Sequence, residues 1–309
     1  MITVYAPASM GNVSVGFDLL GAALAPIDGS LLGDTVSIEA AATGISLTVT
    51  GPFAHKLPAQ VQDNIVYQCA EYFALQRQYT GGLSLVLSKN LPVGSGLGSS
   101  ASSVVAAFVA INSFFGEPYS RDELLLMMGE FEGKISGSIH YDNVAPSFLG
   151  GMQLMLSAPS MLCAGMPVME EWYWVVAYPG ISLSTSMMRE LVPTSLPTSI
   201  ALQFGQQLSG FIHALHTHDS TLALSLLTDV IAEPYRCDAI PQFNEAKHQL
   251  LAMGLSACGI SGSGPSLFAV TTDKALAVAA KQWLQQHYLV SDSGFAHVCH
   301  IDQQGSRQL

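Results

Sequence analysis

Residues Asn90–Phe108 read NLPVGSGLGSSASSVVAAF. Three glycines alternate with other residues, two serines follow, and an apolar run opens at once. The stretch upstream, GLSLVLSKN, places Leu83, Leu85 and Leu87 on one face, which is the period of a half-buried strand. The run downstream predicts a helix from about Ser99 to Phe115, ended by Gly116. A strand, a glycine turn and a helix in direct succession require a sheet with a helical layer packed on it. Gly94, Gly96 and Gly98 lack a Cβ, so the backbone there can turn sharply and approach a ligand closely. Ser99 and Ser100 fall at the helix start, where unpaired N–H groups and about half a positive charge favour an anion without any cationic side chain. The lysine of a P-loop is missing from the loop. Mg²⁺, held by a serine hydroxyl at the helix start and an acidic residue elsewhere, could supply the remaining positive charge. The same pattern also fits a glycine turn that only lets a strand pack on a helix. A dinucleotide loop fits less well, because the spacing is not G-x-G-x-x-G and no acidic strand end lies about 20 residues on.

Charge sharpens the question of what binds there. The chain carries 11 Lys and Arg against 23 Asp and Glu, a net charge of −12. That balance argues against nucleic acid and anionic membrane surfaces as partners, and it requires a polyphosphate site to be locally positive. No stretch reaches the ~20 uninterrupted apolar residues of a membrane span. Ala101–Phe115 comes nearest, and Ser102, Ser103, Asn112 and Ser113 interrupt it. The start, MITVYAPAS, has no basic segment ahead of an apolar one and reads as a strand, so no export signal is expected. Cys69, Cys163, Cys237, Cys258 and Cys299 are scattered and never spaced CxxC. They fit reduced thiols in a cytoplasmic protein.

The length, 309 residues, predicts two domains. In the first half, ITVYA and DTVSIEAAATGISLTVT read as strands and DNIVYQCAEYFALQRQ as a helix. SRDELLLMMGEFEG is a second helix, opened by the capping-box spacing Ser120 to Glu123. A polar, proline-containing patch near Ser157–Glu171 marks the boundary, giving domains 1–160 and 161–309. The second half runs from the strand WYWVVAYP through the helices SIALQFGQQLSGFIHALH and FNEAKHQLLAMG to the strand pair LSACGI and SLFAVT. The helix KALAVAAKQWLQQH and the strand FAHVCHI follow. Reduced to its ends this is β-α-β-β-α-β, a split-βαβ or ferredoxin-like layout. The class is therefore α+β.

Three stretches resemble, in order and spacing, the three motifs of the GHMP kinases, a family of small-molecule kinases. They are PASMGNVSVGFDLLG (Pro7–Gly21), LPVGSGLGSSAS (Leu91–Ser102) and GISGSGPSLFAV (Gly259–Val270). EGKISGSIHYDNVAPSFLGG (Glu132–Gly151) and DVIAEPYR (Asp229–Arg236) resemble the branch that phosphorylates L-homoserine in threonine biosynthesis. The resemblance runs the length of the chain. It implies an N-terminal domain like ribosomal protein S5, a ferredoxin-like C-terminal domain, and an active site between them. ATP and Mg²⁺ would be the co-reactants, and a homodimer is the assembly the family suggests. Two departures stand out: Met10 and Gly11 replace the usual serine and alanine, and Ser266 stands where threonine is usual. Neither position is among those expected to carry chemistry.

The resemblance also implies roles. Pro92, Val93, Gly94, Ser95, Gly96, Leu97, Gly98, Ser99, Ser100, Ala101 and Ser102 would hold ATP. Ser100 and Glu132 would hold the metal. Arg189 and Arg236 would take the substrate carboxylate, which suits guanidinium geometry, with Asn12, Asp18 and His140 on its other polar groups and Asp18 suited to the ammonium. Asn143 would lie near the γ-phosphate and the attacking hydroxyl. The residues alone leave other readings open: surface salt bridges for the arginines, a helix cap before LLGAAL for Asp18, a hydrogen-bonded core imidazole for His140. Lys89 reads as a surface charge at a strand end, and Asn64–Tyr67 as the adenine region by position only. Asn143 cannot act as a base, so direct transfer to the hydroxyl is expected, with Asp142 as the alternative proton acceptor. A mevalonate-like acceptor, or a nucleotide sensor without transfer, are the rival functions.

Overall fold

The structure is a computed structural model of the chain and describes residues 1–137, 139–158 and 161–309. The chain opens with β1 (Ile2–Pro7), β2 (Ser9–Gly11), β3 (Leu20–Pro26), β4 (Gly33–Ala41) and β5 (Ile45–Thr50). Then come α1 (Ile65–Gln76), β6 (Gly82–Ser88), α2 (Ser99–Phe114), α3 (Arg121–Ser136) and α4 (Val144–Leu149). The antiparallel pair β7 (Met152–Ala158) and β8 (Met161–Met166) precedes β9 (Tyr173–Tyr178), α5 (Thr185–Glu190), α6 (Thr198–His216), α7 (Ser220–Leu226) and α8 (Glu233–Arg236). The last elements are α9 (Phe243–Ala252), β10 (Ala257–Ile260), β11 (Leu267–Thr271), α10 (Lys274–His287), β12 (Phe295–Ile301) and β13 (Arg307–Gln308).

Two sheets carry the α+β architecture. The first has the order β13-β1-β4-β6-β5, with β5 and β6 parallel and the rest antiparallel. Helix α2 lies on it and is buried on nearly every side, which explains why its sequence lacks a charged stripe. Phe108 at its centre meets Phe73 of α1 and Phe131 of α3 edge to face, with centroids 5.3 and 5.0 Å apart. Helix α3 begins with the expected capping box, Ser120 and Glu123 each bonding the other's main chain.

In the second sheet the order β10-β11-β9-β12 is antiparallel throughout. It contains two split βαβ units: β11 lies between the parallel β9 and β10, and β9 lies between the parallel β11 and β12. The sheet does not stop there. β12 pairs with β3, and β3 with β7, so N-terminal strands continue it, while the chain end returns as β13 to β1 in the other sheet. Leu20–Pro26, which could have been a helix behind an Asp18 cap, is the strand β3 that joins the two halves. A short run that is apolar at every position has no readable period, and its central place in the sheet decides the matter. Among the described residues no helix is long and apolar enough to cross a membrane.

Candidate active site

The three glycine-bearing loops meet where the sheets adjoin. Gly94, Gly96 and Gly98 take φ of 66°, 79° and 60°, the left-handed region that their lack of a Cβ permits. A Cβ on Gly96 would run into the main chain at Ser261 and Gly264, and one on Gly98 into the Ser9 hydroxyl. Main-chain bonds stitch the loops together: Ser266 N–H donates to Ser95 O at 3.0 Å, Ser9 N–H to Leu97 O at 3.2 Å, and Gly262 N–H to Gly11 O at 3.1 Å. The Ser261 hydroxyl adds a bond to Gly96 O at 2.7 Å. Asn12, Val13 and Ser14 are left-handed in succession, with φ of 68°, 45° and 54°. For a β-branched residue such as Val13 that conformation costs on the order of 1–3 kcal/mol. Its complete burial and the bonds of Asn12 hold it there.

Between the loops lies a cavity of about 780 Å³. Val93, Gly94, Ser95, Gly96, Gly98 and the start of α2 form part of its wall. Gly98 caps that helix without a side-chain bond, so the first-turn N–H groups of Ser99 and Ser100 face the cavity. The side chains of Leu97, Ala101 and Ser102 are buried behind the loop, and Pro92 is buried beside it. Ser102 is occupied structurally: it donates to Ala6 O at 2.8 Å and accepts the Asp34 N–H at 2.9 Å. Asp63, Asn64, Ile65 and Gln68 also line the cavity, while the Asn64 amide caps α1 by accepting the Val66 N–H.

Lys89 is not a surface charge. It is 1% exposed, and its ammonium bonds Asp34, the Ser99 carbonyl at 2.7 Å and the Ser103 hydroxyl at 2.9 Å. Asp34 in turn accepts from Asn90 N–H, Leu91 N–H and the Ser103 hydroxyl at 2.8, 3.0 and 2.6 Å. This node ties the entry of the glycine-rich loop to the first turn of α2. Local pattern could not reveal it, because a lysine at a strand end is exposed unless a distant carboxylate closes over it.

Glu132 and Ser100 face the same cavity. Burial pushes the Glu132 carboxyl up to about 7, against a downward pull from the neighbouring Ser100 hydroxyl. Ser100 Oγ is buried and makes no hydrogen bond of ordinary geometry among the described residues. A desolvated carboxylate beside such a hydroxyl fits a divalent cation. No three His, Cys, Asp or Glu side chains among the described residues cluster as a preformed cage. Phosphate oxygens would therefore have to complete the coordination of such an ion.

The same cavity gathers the remaining candidates, with Asn143 against Gly98. Asn143 Oδ1 accepts from Ser9 Oγ at 3.0 Å, and its Nδ2 donates to Asp142 Oδ2 at 3.3 Å. Asp142 is buried, and burial pushes its carboxyl up to about 7, with the Asp18 charge adding to the rise. Gly11 stands directly against both: a Cβ there would strike Asp142 Oδ2 and Asn143 Nδ2. The departure from alanine at this position therefore does touch the site. Asp18 lies in the turn that leads into β3 rather than opening a helix, and its N–H donates to Asn12 Oδ1 at 2.9 Å. The Asn12 amide also donates to Gly262 O at 2.9 Å, so both its polar atoms are engaged within the protein. Arg189, at the end of α5, forms a two-pronged pair with Asp18 at 2.9 and 3.0 Å. His140 lies 3.9 Å from the same carboxylate, and burial lowers its pKa and favours the neutral ring.

Arg236 is 3% exposed and donates to Met188 O at 2.9 Å and Gly262 O at 3.2 Å. The DVIAEPYR segment positions it. Asp229 accepts from the N–H groups of Ile231, Ala232 and Glu233 at 2.7, 2.8 and 3.0 Å, which starts α8, and Glu233 pairs with Lys247 of α9. Both guanidinium groups lie over the Phe17 ring, at 5.9 Å for Arg189 and 5.4 Å for Arg236. Sequence reasoning missed Phe17 and Asp34, which no local pattern marks. An anion cradle and a two-arginine, one-carboxylate set thus share one cavity.

The chain is similar to known proteins in sequence and in fold. The family model for the GHMP kinase N-terminal domain matches residues 64–151, and the model for the GHMP kinase C-terminal region matches residues 211–289. A homoserine kinase structure from Cytophaga hutchinsonii superposes with a TM-score of 0.90 at 32% identity, covering 100% of this chain and 97% of that one. Mevalonate kinase from Methanococcus jannaschii shares the fold, with a TM-score of 0.73 at 14% identity over 97% and 98% of the two chains. The L. major mevalonate kinase solved with R-mevalonate gives 0.70 at 16% over 96% and 95%. With both family models matching and a full-length relative of this identity, the loops, the cavity and the two-sheet scaffold are those of a kinase, and the chain belongs to the GHMP kinase family.

Proposed function

We propose that this chain transfers the γ-phosphoryl group of ATP to the side-chain hydroxyl of L-homoserine, giving O-phospho-L-homoserine for threonine biosynthesis in the cytoplasm. One observation carries the reading: Arg189, Arg236 and Asp18 line the same cavity as the Gly94–Ser100 cradle. A ligand spanning it meets cations and an anion at its head and amide N–H groups at its phosphates. The likeness to the Cytophaga hutchinsonii homoserine kinase supports the choice of acceptor.

In this reading Asp18 takes the ammonium, Arg189 and Arg236 the carboxylate, and Asn12 and His140 hold the head group in place. The Gly94–Ser100 amides and the α2 dipole take up charge on the transferred phosphoryl. Glu132 and Ser100 would hold Mg²⁺, which when bound neutralises phosphate charge. Asn143, fixed by Ser9, orients the hydroxyl and cannot accept its proton, so positioning and charge stabilisation do most of the work. A second reading of the proton's path rests on Asp142, a buried acid near 7 that lines the cavity beside Asn143. A coupled ADP-release assay with L-homoserine, mevalonate and no acceptor tests the proposal. Turnover with L-homoserine alone is expected. Faster release with mevalonate, or equal release without acceptor, would overturn it.

A further inference from the structure

The proposed substrate site is closed on itself. Arg189 Nη1 and Nη2 donate to Asp18 Oδ2 and Oδ1 at 2.9 and 3.0 Å, a planar fork-to-fork pair whose side chains are 37% and 27% exposed. These are the two groups that the proposed function assigns to opposite ends of an amino acid. A zwitterion carries the same carboxylate and ammonium that the pair already joins.

We infer that the Arg189–Asp18 pair is an exchangeable internal ion pair that selects zwitterionic acceptors, because only a ligand bearing both charges can replace both halves. A hydroxy acid without an amine can take Arg189 only by leaving Asp18 without its cation. An amino alcohol without a carboxylate does the reverse and strands Arg189 near Arg236, the second guanidinium that lies over the Phe17 ring. Selectivity then comes from what the wrong ligand leaves unpaired as much as from what the right one gains.

The surroundings decide which partner moves. Asp18 has a left-handed backbone, φ 58°, and its N–H is held by Asn12, whose amide is bonded to Gly262 O. Arg236 is buried and fixed by Met188 O and Gly262 O. Arg189 has neither restraint: it sits near the end of the six-residue helix α5, and among the described residues its side-chain hydrogen bonds are the two to Asp18. Exchange is therefore a swing of one guanidinium from a fixed carboxylate to the arriving one.

The inference rests on the acceptor reading above, and the test separates the two. Phosphorylation of L-homoserine, 4-hydroxybutanoate and 3-aminopropan-1-ol is measured for the wild type and for Asp18→Asn, which keeps the side-chain shape. In the wild type, both analogues should fall at least ~100-fold below L-homoserine in kcat/KM. In Asp18→Asn, L-homoserine should lose roughly 10–150-fold, whereas 4-hydroxybutanoate should gain about 3- to 20-fold as Arg189 is released, with the KM for ATP unchanged. Opposite signs for two acceptors are not what a damaged fold produces. An active wild type whose Asp18→Asn form loses 4-hydroxybutanoate activity, or leaves it constant, would overturn the exchange alone. A wild type inert toward L-homoserine would overturn the acceptor reading and the exchange with it. A structure with L-homoserine bound should show the Arg189–Asp18 bonds replaced, and an intact pair there would also contradict the inference.

Discussion

Two ion pairs separate scaffold from site in this molecule. Lys89 and Asp34 lie wholly inside, and every polar atom of the pair is used: the carboxylate accepts four bonds and the ammonium donates three. Arg189 and Asp18 form a pair of equally good geometry, but each side chain is about one-third exposed, and among the described residues the Arg189 guanidinium hydrogen-bonds Asp18 alone. A buried pair that loses one member leaves an uncompensated charge in a dry place. A half-exposed pair that loses one member leaves a charge that water or a ligand can serve. The same chemistry thus locks the phosphate loop in one place and leaves the cavity pair open to exchange in the other.

The contrast is easiest to break at the buried pair. Lys89→Met should cost about 3–5 kcal/mol in denaturant unfolding, by stranding Asp34. Arg189→Met should cost no more than ~1 kcal/mol in the same measurement. Comparable losses for both would erase the distinction. Next in size, Arg236→Ala should lower kcat/KM for L-homoserine by roughly 10–150-fold while ATP use barely changes. Equal losses for both substrates would move Arg236 from the site to the scaffold.

Asp142 sharpens the comparison as a buried acid that pairs with no cation among the described residues and accepts a hydrogen bond from the neutral amide of Asn143. Its folded pKa, about 7, lies above the ordinary aspartate value of 3.8. The native state therefore binds the proton more tightly than the unfolded chain, and that stabilisation is lost as pH rises through about 7. Asp142→Asn should accordingly gain on the order of 1–3 kcal/mol relative to wild type at pH 8.5, roughly a third of that at pH 5 and little below the unfolded value of 3.8, read by thermal unfolding at each pH. If direct transfer holds, its turnover should stay within about tenfold of wild type, whereas loss of a general base costs ~100-fold or more. The smallest effect is expected at Gly11. Alanine there presses on Asp142 and Asn143, and small overpacking of this kind should lower kcat roughly 3- to 10-fold with KM values kept. An unchanged kcat would show that Asn143 tolerates displacement.

Much of the fold could be read from local pattern. The period-two run at Leu83–Leu87 is β6, the Ser120–Glu123 spacing caps α3, and the glycine-rich loop does open α2. The failures share a cause, namely partners far away in the chain. Lys89 looks like a surface charge until Asp34, 55 residues earlier, closes on it. Leu20–Pro26 carries no period because distant parts of the chain bury both its faces. The Arg189–Asp18 pair joins positions 171 residues apart, so residue type could suggest each member's chemistry but not their engagement with each other. Gly11 was passed over for the same reason, since what it makes room for lies on another loop.

The central claim is that one cavity holds both a triphosphate on main-chain amides and an amino acid among fixed charges. A crystal structure with a non-hydrolysable ATP analogue, Mg²⁺ and L-homoserine tests it most directly. The account predicts the triphosphate along Gly94–Ser100, the ion between Ser100 and Glu132, and the amino acid between Asp18 and Arg236. A triphosphate lying away from that loop would contradict it.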